Sequence, residues 1–157
     1  MTRVGYPSDL FPGPLGASLD LPDGWAPVPV ASAAMACRKL DSAHSFAPNI
    51  IVRTSSRGID HSLRTAIAEL AAFLDTQPQG VVDPTFDVEL GGQAWVGVTV
   101  SWADPEFGRI VQTHLFVAES RGGRLDLLQV TGSVGGSAAR EEYAEIKAVM
   151  STVEVIR

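Results

Sequence analysis

Three histidines and one cysteine are the side chains of this 157-residue chain best suited to acid–base or nucleophilic work near neutral pH. A histidine does such work when a neighbour fixes its tautomer or when several ligands share a metal. None of the three has a partner at metal-ligand spacing. His44 falls in a loop, and His61 follows Asp60 at the start of a helical pattern, where a solvated first-turn imidazole is the ordinary outcome. His114 is more informative, because it shares one strand face with Ile110, Gln112 and Phe116. That setting suits a partly buried, hydrogen-bonded imidazole better than a catalytic one.

Cys37 is followed by Arg38 and Lys39, whose charge would favour a thiolate, but the sequence sets no base beside it. The small residues leading to it, Ala31 to Ala36, resemble a lipoprotein cleavage site. Asp20, Asp23, Pro27 and Pro29 stand where the basic flank and apolar core of a signal should be, so Cys37 is expected to be an ordinary buried residue. Gly132-Ser133-Val134-Gly135-Gly136-Ser137 leads from a strand into a helix, a geometry that favours anions. It lacks the lysine of a Walker loop and the glycine spacing of a dinucleotide site, and a strand-to-helix turn with a capping serine explains it.

Aromatic residues point to binding rather than catalysis. Trp95 alternates with the valines at 96, 98 and 100 and stands among Gln93, Thr99 and Ser101, so it is either covered by a second layer or displayed. If displayed, Trp95 and Thr99 with Gln112 and His114 of the neighbouring strand form a mixed apolar and polar patch of the kind partners use. Trp102 and Phe107 flank a hairpin loop with Asp104 and Glu106, a second candidate contact, unless the aromatics staple the loop down. The competing reading is a small-ligand or hydrolytic pocket near His114, Gln112 and Trp95.

The elements that must position these groups follow from periodicity. Residues 1–16 hold Pro7, Pro12 and Pro14 with Gly5, Gly13 and Gly16, an irregular arm whose Leu10, Phe11 and Leu15 can still dock; residues 17–157 form one domain. Ala17 to Leu21 alternates as a short strand ending at the turn Pro22-Asp23-Gly24. Ala26 to Val30, spaced by prolines, can only be extended or an edge, and Ala34 to Leu40 offers a second strand. Asn49 to Ser55, with its β-branched core, is a third.

Leu63, Ile67, Leu70 and Leu74 make one helical stripe, with Asp60 the expected cap and the end near Gln77 before Pro78. From Val81 to Ser133 four strands follow as an antiparallel meander, turned at Gly91-Gly92, at 103–108 and at Arg121-Gly122-Gly123. Ser137 caps a closing helix that aligns Ala139, Tyr143, Ile146 and Met150, and Val153 to Ile156 are expected to close the sheet. The fold class is α+β, an antiparallel sheet flanked by helices.

Composition narrows the partners. A net charge of −6 with no run of Lys or Arg is the wrong footprint for nucleic acid. No stretch of apolar residues is long enough to span a bilayer, and no apolar signal core follows Met1, so a cytoplasmic location is expected. The single cysteine excludes an intrachain disulfide and fits a reducing compartment. No cofactor is expected. A homodimer through an unpaired edge, with the terminal and second strands as candidates, is a further expectation.

The turn Leu21-Pro22-Asp23-Gly24-Trp25, the strand entry Ala47-Pro48-Asn49-Ile50-Ile51-Val52, the helix after it, the meander with Trp95 and the closing helix together resemble the LpqN-type proteins of the PsbP-like superfamily. The resemblance spans residues 17–157. It implies an αβα sandwich, no shared catalytic residues, and action by binding proteins, as adaptors, secretion-system chaperones or photosystem subunits. It therefore implies a non-enzymatic adaptor or chaperone-like domain, linked to secretion, with a protein partner. Residues 1–37 are not expected to serve as the signal peptide and lipidated cysteine that LpqN lipoproteins carry.

Overall fold

A computed structural model of the protein describes residues 1–42 and 46–157. In chain order the elements are β1 (Gly16–Ser18), β2 (Trp25–Pro27), β3 (Met35–Lys39), β4 (Asn49–Arg57), α1 (Leu63–Asp75), β5 (Val81–Val82), β6 (Phe86–Leu90), β7 (Gln93–Asp104), β8 (Gly108–Arg121), β9 (Arg124–Gly135), α2 (Ala139–Met150) and β10 (Glu154–Ile156). The main sheet is antiparallel in the order β2-β3-β4-β9-β8-β7, and β5 and β6 both pair with the outer edge of β7.

The strands from β6 to β9 are the meander that the alternation indicates. Its tight turns rest on glycine: Gly91 and Gly92 take φ of +57° and +73°, and Gly122 and Gly123 take +58° and +78°. Paired positive φ angles are what a two-residue hairpin turn requires, and residues with a Cβ adopt them at a cost.

Alternation then builds two cores, one on each face. Val98, Val100, Trp102, Ile110 and Phe116 meet Ala66 and Leu74 of α1. Trp95, Leu115, Leu128 and Val130 meet Ile146, Val149 and Met150 of α2. Each such buried aliphatic side chain contributes about 1.5–3 kcal/mol. Helix α2 lies close on the sheet because β9 carries Gly132 beneath it; a Cβ there would stand 2.6 Å from Met150 Sδ. The layers are α1, sheet and α2, an αβα sandwich.

Several boundaries differ from the sequence expectation. Helix α1 is capped by Ser62, whose Oγ accepts from the Thr65 amide at 3.4 Å, and Asp60 lies in the turn before it. Ser137 does not cap α2; Ala138 holds that position without a side-chain bond, and Glu141 and Glu142 in the first turn supply the favourable charge. The first strand is Gly16–Ser18, after which Leu19 and Leu21 leave the strand and pack into the α2-side core. It pairs with β10 in a two-stranded ribbon, so the terminal strand does not extend the main sheet.

The N-terminal arm is anchored at its end. Leu15 is buried in the α2-side core, and the Arg124 guanidinium donates to the Pro12 carbonyl. Arg124 is itself held by Asp126, which is fully buried, accepts from Ser56 Oγ at 2.7 Å and lies 3.4 Å from Arg121. Among the described residues, no helix is long and apolar enough to cross a membrane.

Candidate functional site

Register decides which candidate residues meet. Across the β7–β8 pair, Val98 lies opposite His114, Thr99 opposite Thr113 and Val100 opposite Gln112. Opposite residues share a face, so His114 and Gln112 look toward α1 whereas Trp95 and Thr99 look toward α2. The expected patch of Trp95, Thr99, Gln112 and His114 is therefore split by the thickness of the sheet, and Trp95 shares no face with His114 and Gln112. Trp95 is 1% exposed in the α2-side core. Thr99 and Thr113 turn their hydroxyls to Tyr143 of α2, at 3.4 and 2.8 Å.

The loop aromatics are also turned inward. Trp102 is buried edge-on against Phe73 of α1, with ring centroids 5.7 Å apart. Phe107 is half-buried edge-on against Phe46 at 5.3 Å. Asp104 Oδ1 accepts from the amides of Glu106 and Phe107 at 2.8 and 3.0 Å, an Asx turn that fixes the loop. Both aromatics thus staple the loop, Trp102 buried and Phe107 half-buried.

His114 lies in a buried polar chain. Its Nε2 is 2.9 Å from Gln112 Oε1, while Gln129 Nε2 and Thr131 Oγ1 approach Nδ1 at 2.9 and 3.0 Å. Gln112 in turn donates to Ser133 Oγ at 3.0 Å. A carbonyl oxygen on one nitrogen and donors on the other select the neutral imidazole protonated at Nε2. Burial, and secondarily the charge of Arg53, lowers its pKa from 6.5 to about 4. With both nitrogens engaged and the ring 4% exposed, His114 has no free lone pair to offer a substrate.

The other reactive candidates resolve simply. Cys37 is buried, its Sγ 3.9 Å from the Ile50 carbonyl, and burial pushes its thiol pKa up, away from nucleophile character. Residues 132–135 belong to β9, laddered to β8 and, at 132–133, to β4 as well, so their amides form no phosphate cradle. His61 is half-buried in the turn before α1. His44 lies outside the described residues. Among the described residues, no three His, Cys, Asp or Glu side chains converge as a metal site requires.

What the fold does leave accessible is the β4 margin of the α1-side sheet face. Helix α1 packs over β5, β7 and β8, and Leu127 of β9 is buried in the same cluster, while Arg53 and Ser55 of β4 are exposed on that face. There a groove of about 390 Å³ is lined by the 31–34 turn, Arg53, Ser55, Arg57, Leu127 and Gln129. Arg57 forms its α1 side, donating to both carboxylate oxygens of Glu69 at 2.8 and 2.9 Å, which holds the Glu69 carboxyl below its usual range. Arg53 is exposed, and among the described residues no carboxylate pairs with it. Gln129 joins this surface to His114 beneath. Sequence reading passed over Arg53, Ser55 and Gln129. The alternation of Arg53, Ser55 and Arg57 with Ile50 and Val52 was the available signal, but it shows only a polar face, not whether a helix covers it.

The element order and the two-faced sandwich define a PsbP-like α+β fold of the LpqN type. The structure of LpqN, "involved in cell envelope biogenesis of Mycobacterium tuberculosis", superposes with a TM-score of 0.73 at 17% identity, covering 99% of this chain and 90% of that one. The cyanobacterial PsbP of Synechocystis sp. PCC 6803 (CyanoP) superposes with a TM-score of 0.55 at 14% identity, covering 99% of both chains. No protein-family model and no curated protein matches the sequence.

Proposed function

We propose that the protein is a non-enzymatic binding domain, an adaptor or chaperone-like module that holds a protein partner in the β4–β9 groove. The observation that carries this reading is the groove itself: an exposed Arg53 that pairs with no carboxylate among the described residues, with Ser55 and Gln129 beside it. Gln129 is held by its bond to His114 and costs little to organise on binding, which favours recognition, while that imidazole, engaged at both nitrogens, is unavailable for proton transfer. The guanidinium of Arg53 supplies a fork for a carboxylate or carbonyl of the partner. The fold likeness to LpqN, described as involved in cell envelope biogenesis, supports a search among envelope proteins.

The test is quantitative affinity capture with the wild-type chain against Arg53→Glu and Ser55→Trp variants, after circular dichroism shows all three folded. Partners retained by the wild type and lost by both variants are the expected result. Identical capture by all three would refute the groove as the binding site.

A further inference from the structure

The two edges of the main sheet are built differently. At one, β2 is three residues long and carries Pro27, with Pro29 just beyond, and proline has no amide to offer a neighbouring strand. At the other, β6 runs for five residues, Phe86–Leu90, without a proline, and among the described residues only β7 pairs with it. Its outward amides and carbonyls are free to form a ladder.

Side chains on the two faces of β6 differ in kind. Phe86, Val88 and Leu90 look toward α2, and with Leu115 and Met150 they line an apolar groove of about 120 Å³, room for one branched aliphatic side chain. Phe86 is 40% exposed. The far end of its ring stands over Gly97, where a Cβ would meet it at 2.2 Å, so the glycine shapes this wall. Lys147 flanks the groove with its ammonium over the Tyr143 ring, 5.5 Å from the centroid. Asp87 and Glu89, both exposed, project from the opposite face beside Val96 and Ala94.

We propose that the outer edge of β6 is a strand-addition site for an extended segment of a partner protein in which apolar residues alternate with lysine or arginine. One apolar residue would enter the α2-side groove, its apolar neighbours along the segment would lie against Phe86 and Leu90, and the basic ones would stand opposite Asp87 and Glu89. A second copy of this chain is disfavoured there. Antiparallel self-pairing centred on Val88 sets Asp87 against Glu89 of the other copy, twice over, and like charges directly opposite repel. The site is separate from the β4–β9 groove and does not rest on it.

The experiment uses fluorescein-labelled heptapeptides KVKLKVK, its shuffle KKVVLKK and the acidic EVELEVE, read by anisotropy, together with hydrogen exchange at β6. The alternating basic peptide should bind about tenfold or more tightly than either control and should protect β6 amides. The doubly substituted Asp87→Lys, Glu89→Lys chain, altered only at exposed positions, should reverse the preference to EVELEVE. Arg53→Glu should leave these affinities unchanged, which separates this site from the groove. Equal binding of KVKLKVK and KKVVLKK, unaltered preference in the charge-reversed chain, or no binding by the wild type at millimolar peptide overturns the proposal.

Discussion

Acidification should unfold this protein through His114 in a window that the buried polar chain defines. In the unfolded chain an imidazole titrates near 6.5, and in the fold His114 titrates at about 4. Between those values the unfolded state binds more protons, so stability rises with pH there; it is complete above 6.5 and is lost as pH falls toward 4. The full difference is worth about 3 kcal/mol, of which about 2 is already gone at pH 5. The cause is structural. Protonating Nδ1 would place a second N–H against the donors Gln129 Nε2 and Thr131 Oγ1, inside a core that leaves the ring 4% exposed, with Arg53 adding repulsion.

Urea unfolding of the wild type and of His114→Gln between pH 7.5 and 4.5 measures this directly, because the difference between the two curves removes the carboxylates common to both. The difference should shrink steadily below pH 6.5. A flat difference curve, or an NMR titration of His114 centred near 6.5 in the folded protein, would show that the network does not hold the ring neutral. A second arm tests the minor cause: Arg53→Ala should raise the His114 pKa toward 6.5 without restoring it fully.

Two further substitutions probe the cores. Trp95→Ala should destabilise the fold by about 3–5 kcal/mol in chemical denaturation, the range for deleting a buried aromatic, whereas a surface contact residue would cost almost nothing. Asp126→Asn removes the charge that holds Arg121 and Arg124; it should cost about 3–5 kcal/mol and make residues 1–14 more sensitive to protease, because Arg124 carries the bond to Pro12. Unchanged arm proteolysis with a destabilised core would show that the arm is held by Leu15 alone.

Local pattern and tertiary arrangement contributed unequally to what is visible here. The strands β6 to β9 and their glycine turns are legible because a half-buried strand must alternate and a two-residue hairpin needs positive φ at Gly91-Gly92 and Gly122-Gly123. The α1 stripe from Leu63 to Leu74 is legible because a helix on a sheet must bury one face. Helix caps were less so. Asp60 and Ser62 are both suitable capping residues two positions apart, and only the backbone angles at Ser62 choose between them.

The candidate site was misread for a related reason. Alternation within β7 places Trp95 opposite in face to Val96, and alternation within β8 places His114 with Gln112, but neither strand states which of its faces matches which of the other's. That is settled by register, and a shift of one residue exchanges the faces. Register set Val98 against His114, sent Trp95 beneath α2, and left His114 beside a groove whose Arg53 and Gln129 come from β4 and β9. By itself the chain determined the elements, the α+β class and the absence of any local motif for catalysis, since these depend on near neighbours in sequence. Only the tertiary structure decided which faces are covered, because coverage depends on where a helix comes to rest: α1 shields β7 and β8 and leaves Arg53 and Ser55 of β4 exposed, and nothing in the composition of either helix specifies that limit.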